Sequence, residues 1–101
     1  SMADIKIKEE KTMRVKKGLV LRHIGEEHVI VVPNRGTVDM TSVYRLNEVA
    51  AWLWKQFEDK EFTAPQMVEL LLQHYDVEPD RAAGDVDKLI EDLKEHGLVV
   101  E

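Results

Sequence analysis

The chain is expected to fold as α+β, a three-stranded antiparallel sheet followed by three helices, and three observations lead there. Two β-branched runs flank a short turn at Gly25. From Asn47 onward, three segments carry apolar residues at helical spacing, each opened by a capping residue or a proline. With 101 residues, of which 44% are apolar and 34% charged, there is material for one domain with a modest core.

The elements follow in order. Gly18 precedes Leu19-Val20-Leu21-Arg22-His23-Ile24, and Gly25-Glu26-Glu27 turns the chain into His28-Val29-Ile30-Val31-Val32. This is a hairpin signature. Pro33-Asn34-Arg35-Gly36 is a second turn signal, so a third strand is expected within Val38 to Arg45. If Leu46 enters the core, the pleat puts Met40, Ser42 and Tyr44 on its side and Thr41, Val43 and Arg45 on the other.

Asn47 is placed to cap the first helix, whose buried stripe is Val49, Ala50, Leu53, Trp54 and Phe57. Trp52 lies off that stripe, so it is expected to be either half-buried at the surface or covered by a partner. Thr63-Ala64-Pro65-Gln66 fits a capping box, with Phe62 able to staple against Met67, and the second helix continues through Val68, Leu71, Leu72 and Tyr75. Pro79 opens the third helix, with Ala82, Val86, Leu89 and Leu93 as its core stripe. Gly97 supplies a left-handed stop, after which Leu98-Val99-Val100 leaves as an extended tail. Beside the stripe runs a second row, Ala83, Asp87, Ile90 and Lys94, at spacings of four and three. Ile90 can serve either the core or an open groove.

Composition removes several functions. Without cysteine, disulfides, thiolate zinc sites and cysteine-held iron–sulfur clusters are excluded, and the cytoplasm is the expected compartment. No run is long and apolar enough to span a bilayer, and no signal peptide is recognisable. A net charge of −6 argues against nucleic acid, and the positive excess is confined to residues 1–17, with residues 1–13 read as a flexible basic arm. A winged-helix DNA-binding regulator is the alternative for such an architecture. Its third helix should be basic, whereas Asp80, Asp85, Asp87, Glu91, Asp92 and Glu95 here outnumber Arg81, Lys88 and Lys94.

Catalysis finds no constellation. His23 and His28 flank the hairpin turn as a cross-strand surface pair without a carboxylate tied to them by spacing, and His74 and His96 sit near helix ends. No glycine belongs to a phosphate loop and no serine, threonine or lysine stands in a nucleophile motif. The chain is therefore expected to be no enzyme, with no catalytic residue, metal or cofactor.

Leu46-Asn47 followed by Ala50 and Trp54, then Tyr75-Asp76-Val77, then Asp85-Val86, Leu89, Leu93 and Gly97-Leu98-Val99, resembles the PqqD-like family. The resemblance covers about residues 14–100, and residues 14–101 are expected to form the domain. It implies a winged-helix-like fold and a precursor-peptide recognition element, a peptide chaperone of natural product biosynthesis. Such a domain binds the leader of a ribosomally made precursor and presents it to a modifying enzyme, often a radical S-adenosylmethionine protein. It further implies that the leader adds as a strand to the third strand, at Met40, Thr41, Ser42, Val43, Tyr44 and Arg45, and lies against Ala83, Asp87, Ile90 and Lys94 of the third helix. The segment Arg35 to Thr41 departs from the commonest family pattern in being longer and more polar. An open strand edge accepts a peptide through main-chain bonds, and the same edge allows a weak homodimer beside the monomer.

Overall fold

The computed structural model describes residues 11–33 and 41–101. Strands β1 (Arg14–Val15), β2 (Val20–Ile24), β3 (Glu27–Pro33) and β4 (Thr41–Leu46) precede helices α1 (Glu48–Phe57), α2 (Ala64–His74) and α3 (Pro79–Glu95), with β5 (Val99–Val100) following. The expected α+β architecture is present, its third strand being β4. The second turn signal, at Asn34 to Gly36, and the long polar segment lie outside the described residues, as does Met40.

The hairpin forms because Gly25, at φ 63°, supplies the positive dihedral that a two-residue connection demands. Ile24 then pairs with Glu27, and the register runs without a break from there to Val20↔Val31. Strand β4 adds antiparallel to β3, with Ile30↔Tyr44 and His28↔Leu46, so the sheet order is β2-β3-β4. The inner face carries Leu21, Ile30, Tyr44 and Leu46, all packed into the core or against it. On the outer face Val20 and Val43 are exposed, at 45% and 57%. Alternation along β4 is the one the pleat predicts.

Two strands at the margins were not legible as partners. Arg14↔Val100 and Val15↔Val99 pair antiparallel, so the tail after Gly97 is a strand and not a loose end. Met13 is a core residue, tied through both its amide and its carbonyl to Phe62 at 2.7 and 2.8 Å. One apolar residue within a basic stretch thus has its partner in the loop ahead of α2.

The helices are capped as the sequence requires. Asn47 Oδ1 accepts from the Ala50 amide at 2.7 Å. Thr63 and Gln66 form the reciprocal box, at 3.3 Å to the threonine hydroxyl and 2.9 Å to the glutamine carbonyl. Pro79 opens α3, and Gly97, at φ 72°, lets Leu98 turn back with its amide on the Leu93 carbonyl at 2.8 Å. One core then joins the sheet's inner face to Leu53, Trp54, Phe62, Val86 and Leu98.

Candidate functional site

Strand β4 is an edge strand, paired on one side only among the described residues. The two-residue turn makes Ile24↔Glu27 a hydrogen-bonded pair, and antiparallel pairs alternate between bonded and non-bonded from there. It follows that Ser42, Tyr44 and Leu46 direct their main-chain groups at β3, while Thr41, Val43 and Arg45 direct theirs outward. Three residues in alternation thus offer amides and carbonyls to an incoming strand.

Beside this edge stands one flank of α3. The Tyr44 ring lies 4.7 Å from that of His96, the C-cap residue, whose Nδ1 contacts the Asp92 carbonyl at 2.8 Å. Burial first, then the Asp92 and Glu95 carboxylates, hold the Tyr44 hydroxyl above the ordinary tyrosine pKa. Asp92 also lines a groove of about 650 Å³ that runs from the β4–α1 junction between α2 and α3. Its apolar floor includes Val49, Leu53, Val86 and Leu89, with Tyr75 and Val77 on the α2 side. Around the mouth, Arg81 and Asp85, and Lys88 and Asp92, face one another at 3.8 Å as exposed i,i+4 pairs of little energetic weight.

The expected site residues separate into two groups. Strand β4 carries Val43, Tyr44 and Arg45 along one open edge, Tyr44 on the inner face and the other two on the outer; Arg45 is exposed and meets Glu27 at 3.0 Å. Of the row on α3, two side chains are engaged elsewhere. Ile90 is 7% exposed and belongs to the core, and Lys94 bonds Glu101 beyond β5. At about 100° per residue, Ala83, Asp87 and Lys94 lie on the opposite side of the Val86 stripe from Leu89, Asp92 and His96. His96, on that second flank, is the residue that meets Tyr44. Leu89 and Ile90 are both apolar neighbours, so either completes the spacing Ala82-Val86-x-Leu93, and the pattern alone could not choose.

The surface aromatics are structural neighbours of this groove. Trp52 is half-buried and stacks on His74 at 4.1 Å, and both meet Tyr75, a groove-lining residue, edge-on. At the hairpin tip His23 and His28 stack at 4.6 Å as a directly opposed pair.

The family model of Coenzyme PQQ synthesis protein D (PqqD) matches residues 27–99, from the second hairpin strand through the first residue of β5. The chain belongs to the PqqD family. Its fold is shared with solved structures of low sequence identity. The solution structure of the PqqD truncation of Methylobacterium extorquens PqqCD, described as a stand-alone recognition element for ribosomally synthesized and post-translationally modified peptides, is 23% identical. Its TM-score is 0.69, with 89% of each chain covered. Lasso peptide synthetase B1 complexed with its leader peptide is 21% identical, TM-score 0.67, covering 88% of this chain and 98% of that one. TbiB1 in complex with the TbiA(beta) leader peptide is 20% identical, TM-score 0.66, covering 85% and 93%. No curated protein matches the chain.

Membership in the PqqD family agrees with the charge of α3. Six acidic against three basic side chains on that helix disfavour the DNA-binding alternative, because a recognition helix must approach phosphates. Among the described residues no helix is long and apolar enough to cross a membrane.

Proposed function

We propose that this chain is a non-catalytic recognition element that binds the leader of a ribosomally made precursor peptide by strand addition to β4. It holds that leader against the Leu89–Asp92–His96 flank of α3 and presents the precursor to a modifying enzyme in the cytoplasm. The one observation that carries the reading is the outward-facing edge of β4 with Tyr44 set against His96 at the end of α3, a helix that also lines an apolar-floored groove. Family membership supports it, as do the two leader-bound structures of the same fold. A radical S-adenosylmethionine protein as the receiving enzyme is what the resemblance implies.

The energetics require both halves of the site. Four ladder bonds at a net ~0.5–1.5 kcal/mol each fall short of an association cost of about 4–15 kcal/mol. Two or three apolar anchors at ~1.5–3 kcal/mol apiece bring the total toward micromolar affinity. The floor around Val49 and Leu89 is where such anchors fit, so the leader carries apolar residues at strand or one-turn spacing.

Titrating the isotope-labelled chain with the leader of a small precursor encoded nearby tests the reading. Amide shifts should concentrate on Val43, Tyr44, Arg45, Leu89 and Asp92 together. Saturable binding that leaves β4 unmoved would refute strand addition.

A further inference from the structure

The outer face of the sheet breaks the alternation that an antiparallel sheet with one solvated side ordinarily keeps, apolar inward and polar outward. Cross-strand partners share a face, so the register lays out three rows there: Val20, Val31 and Val43, then Arg22, Val29 and Arg45, then Ile24 with Glu27 at the hairpin tip. Five of these eight residues are aliphatic. None of the five belongs to the core or packs against it, and Val20, Ile24 and Val43 are exposed. The helices share their core with the opposite face, through Leu21, Ile30, Tyr44 and Leu46. An aliphatic row that crosses all three strands and has no helix over it among the described residues marks a surface for a partner.

Size and charge say what kind of partner. Three strands of about five residues span about 14 by 17 Å, well short of the roughly 800 Å² that each side gives to a stable complex. A second copy would also bring its own Arg22 and Arg45 onto a face that already carries both, within about a Debye length of one another. The complement is a different protein. It carries aliphatic side chains for the valine row and a carboxylate for Arg22, since Arg45 already meets Glu27 at 3.0 Å. The face is continuous with the open edge, because Val43 and Arg45 stand on it while their main-chain groups point away from β3. A leader strand added to β4 sets every second side chain on this same face and widens it by one strand. We infer that the outer face of β2-β3-β4 is where the peptide-modifying enzyme docks. The identity of that partner rests on the leader-binding reading; the surface itself does not.

Val20 and Arg22 lie on β2, at the far side of the sheet from the open edge, so they separate docking from leader binding. Calorimetry measures binding of the full chain to the purified modifying enzyme encoded beside the precursor, first without leader and then with it. Val20→Lys together with Arg22→Glu should weaken that binding at least tenfold, while leader affinity and melting temperature stay as they were. Val20→Thr, isosteric and at an exposed position, keeps the fold secure and should by itself weaken docking several-fold. Unchanged enzyme affinity in these variants would overturn the inference, as would the absence of enzyme binding by the unmodified chain with leader present. So would self-association of the free chain in sedimentation that the same substitutions remove, since the face would then belong to a second copy. Failure of the leader reading shows itself separately, as an unmoved β4 in the leader titration, and leaves the measurement made without leader intact.

Discussion

Tyr44 on β4 lies against His96, the cap of α3, with ring centroids 4.7 Å apart and planes inclined at 56°. That contact joins the sheet edge to the end of the helix.

Val43 gives a test of strand addition that spares the fold. Its amide points away from β3, so Val43→Pro removes a donor from the open edge alone, where proline is tolerated. Leader affinity should fall at least tenfold with the melting temperature nearly unchanged. Tyr44→Pro deletes a bond to Ile30 and should cost about 1–3 kcal/mol of stability. Calorimetric titration and thermal melts of the pair distinguish the two; equal effects on affinity would count against the assigned edge.

Leu89 and Ile90 separate groove from core. Leu89→Ala removes half-buried apolar surface from the groove floor, worth about 1.5 kcal/mol or more of leader binding and hence roughly tenfold in affinity. Ile90→Asp instead buries a carboxylate and should unfold the domain or come close to it. Circular dichroism decides the second outcome. A folded Ile90→Asp variant would contradict the packing described.

Alkaline titration reports the environment of Tyr44. Burial and the nearby Asp92 and Glu95 raise its pKa in the folded state, so the neutral hydroxyl is favoured by folding. The stability this contributes is complete below about pH 10, the unfolded value, and is lost as pH rises through the folded pKa. The ultraviolet difference between wild type and Tyr44→Phe should place this ionisation above pH 10. A midpoint at or below 10 would refute the contact.

Thr63 is almost fully buried and caps α2 through the Gln66 amide. Thr63→Ala should reduce stability by about 1 kcal/mol, measured by urea unfolding, with Thr63→Ser recovering most of it. Leader affinity should not change, because the cap lies away from the β4 edge.

On the opposite flank of the last turn of α3, Glu101 accepts from Lys94 and faces Lys11, and these cations hold its carboxyl below the usual value. The direction of the linkage is opposite to that of Tyr44. Its contribution is present above the ordinary carboxylate pKa and disappears as pH falls through the lowered one.

Much of the architecture was legible because local chemistry and tertiary need coincide. Gly25, Asn47, Thr63 with Gln66, Pro79 and Gly97 each satisfy a backbone requirement that acts within four residues, so their roles follow from order alone. The parity of β4 was also readable, since Leu46 anchors it one residue before the cap. What could not be read depends on partners distant in sequence. Met13 is indistinguishable from an arm residue until Phe62 is beside it, and Val99-Val100 is a tail until Arg14-Val15 pairs with it.

The α3 flank is the sharpest case. Sequence determined that a helix with a wide apolar stripe follows Pro79, and that an acidic helix of this kind is ill suited to nucleic acid. It could not determine the rotation of that helix about its axis, because Leu89 and Ile90 are adjacent, equally apolar and only about 100° apart. The choice was made by packing: Ile90 fills the core, Lys94 is drawn to Glu101, Leu89 and Asp92 are left lining the groove, and His96 meets Tyr44. A helix carries its periodicity in its own residues, but the direction that periodicity faces is set by what it packs against.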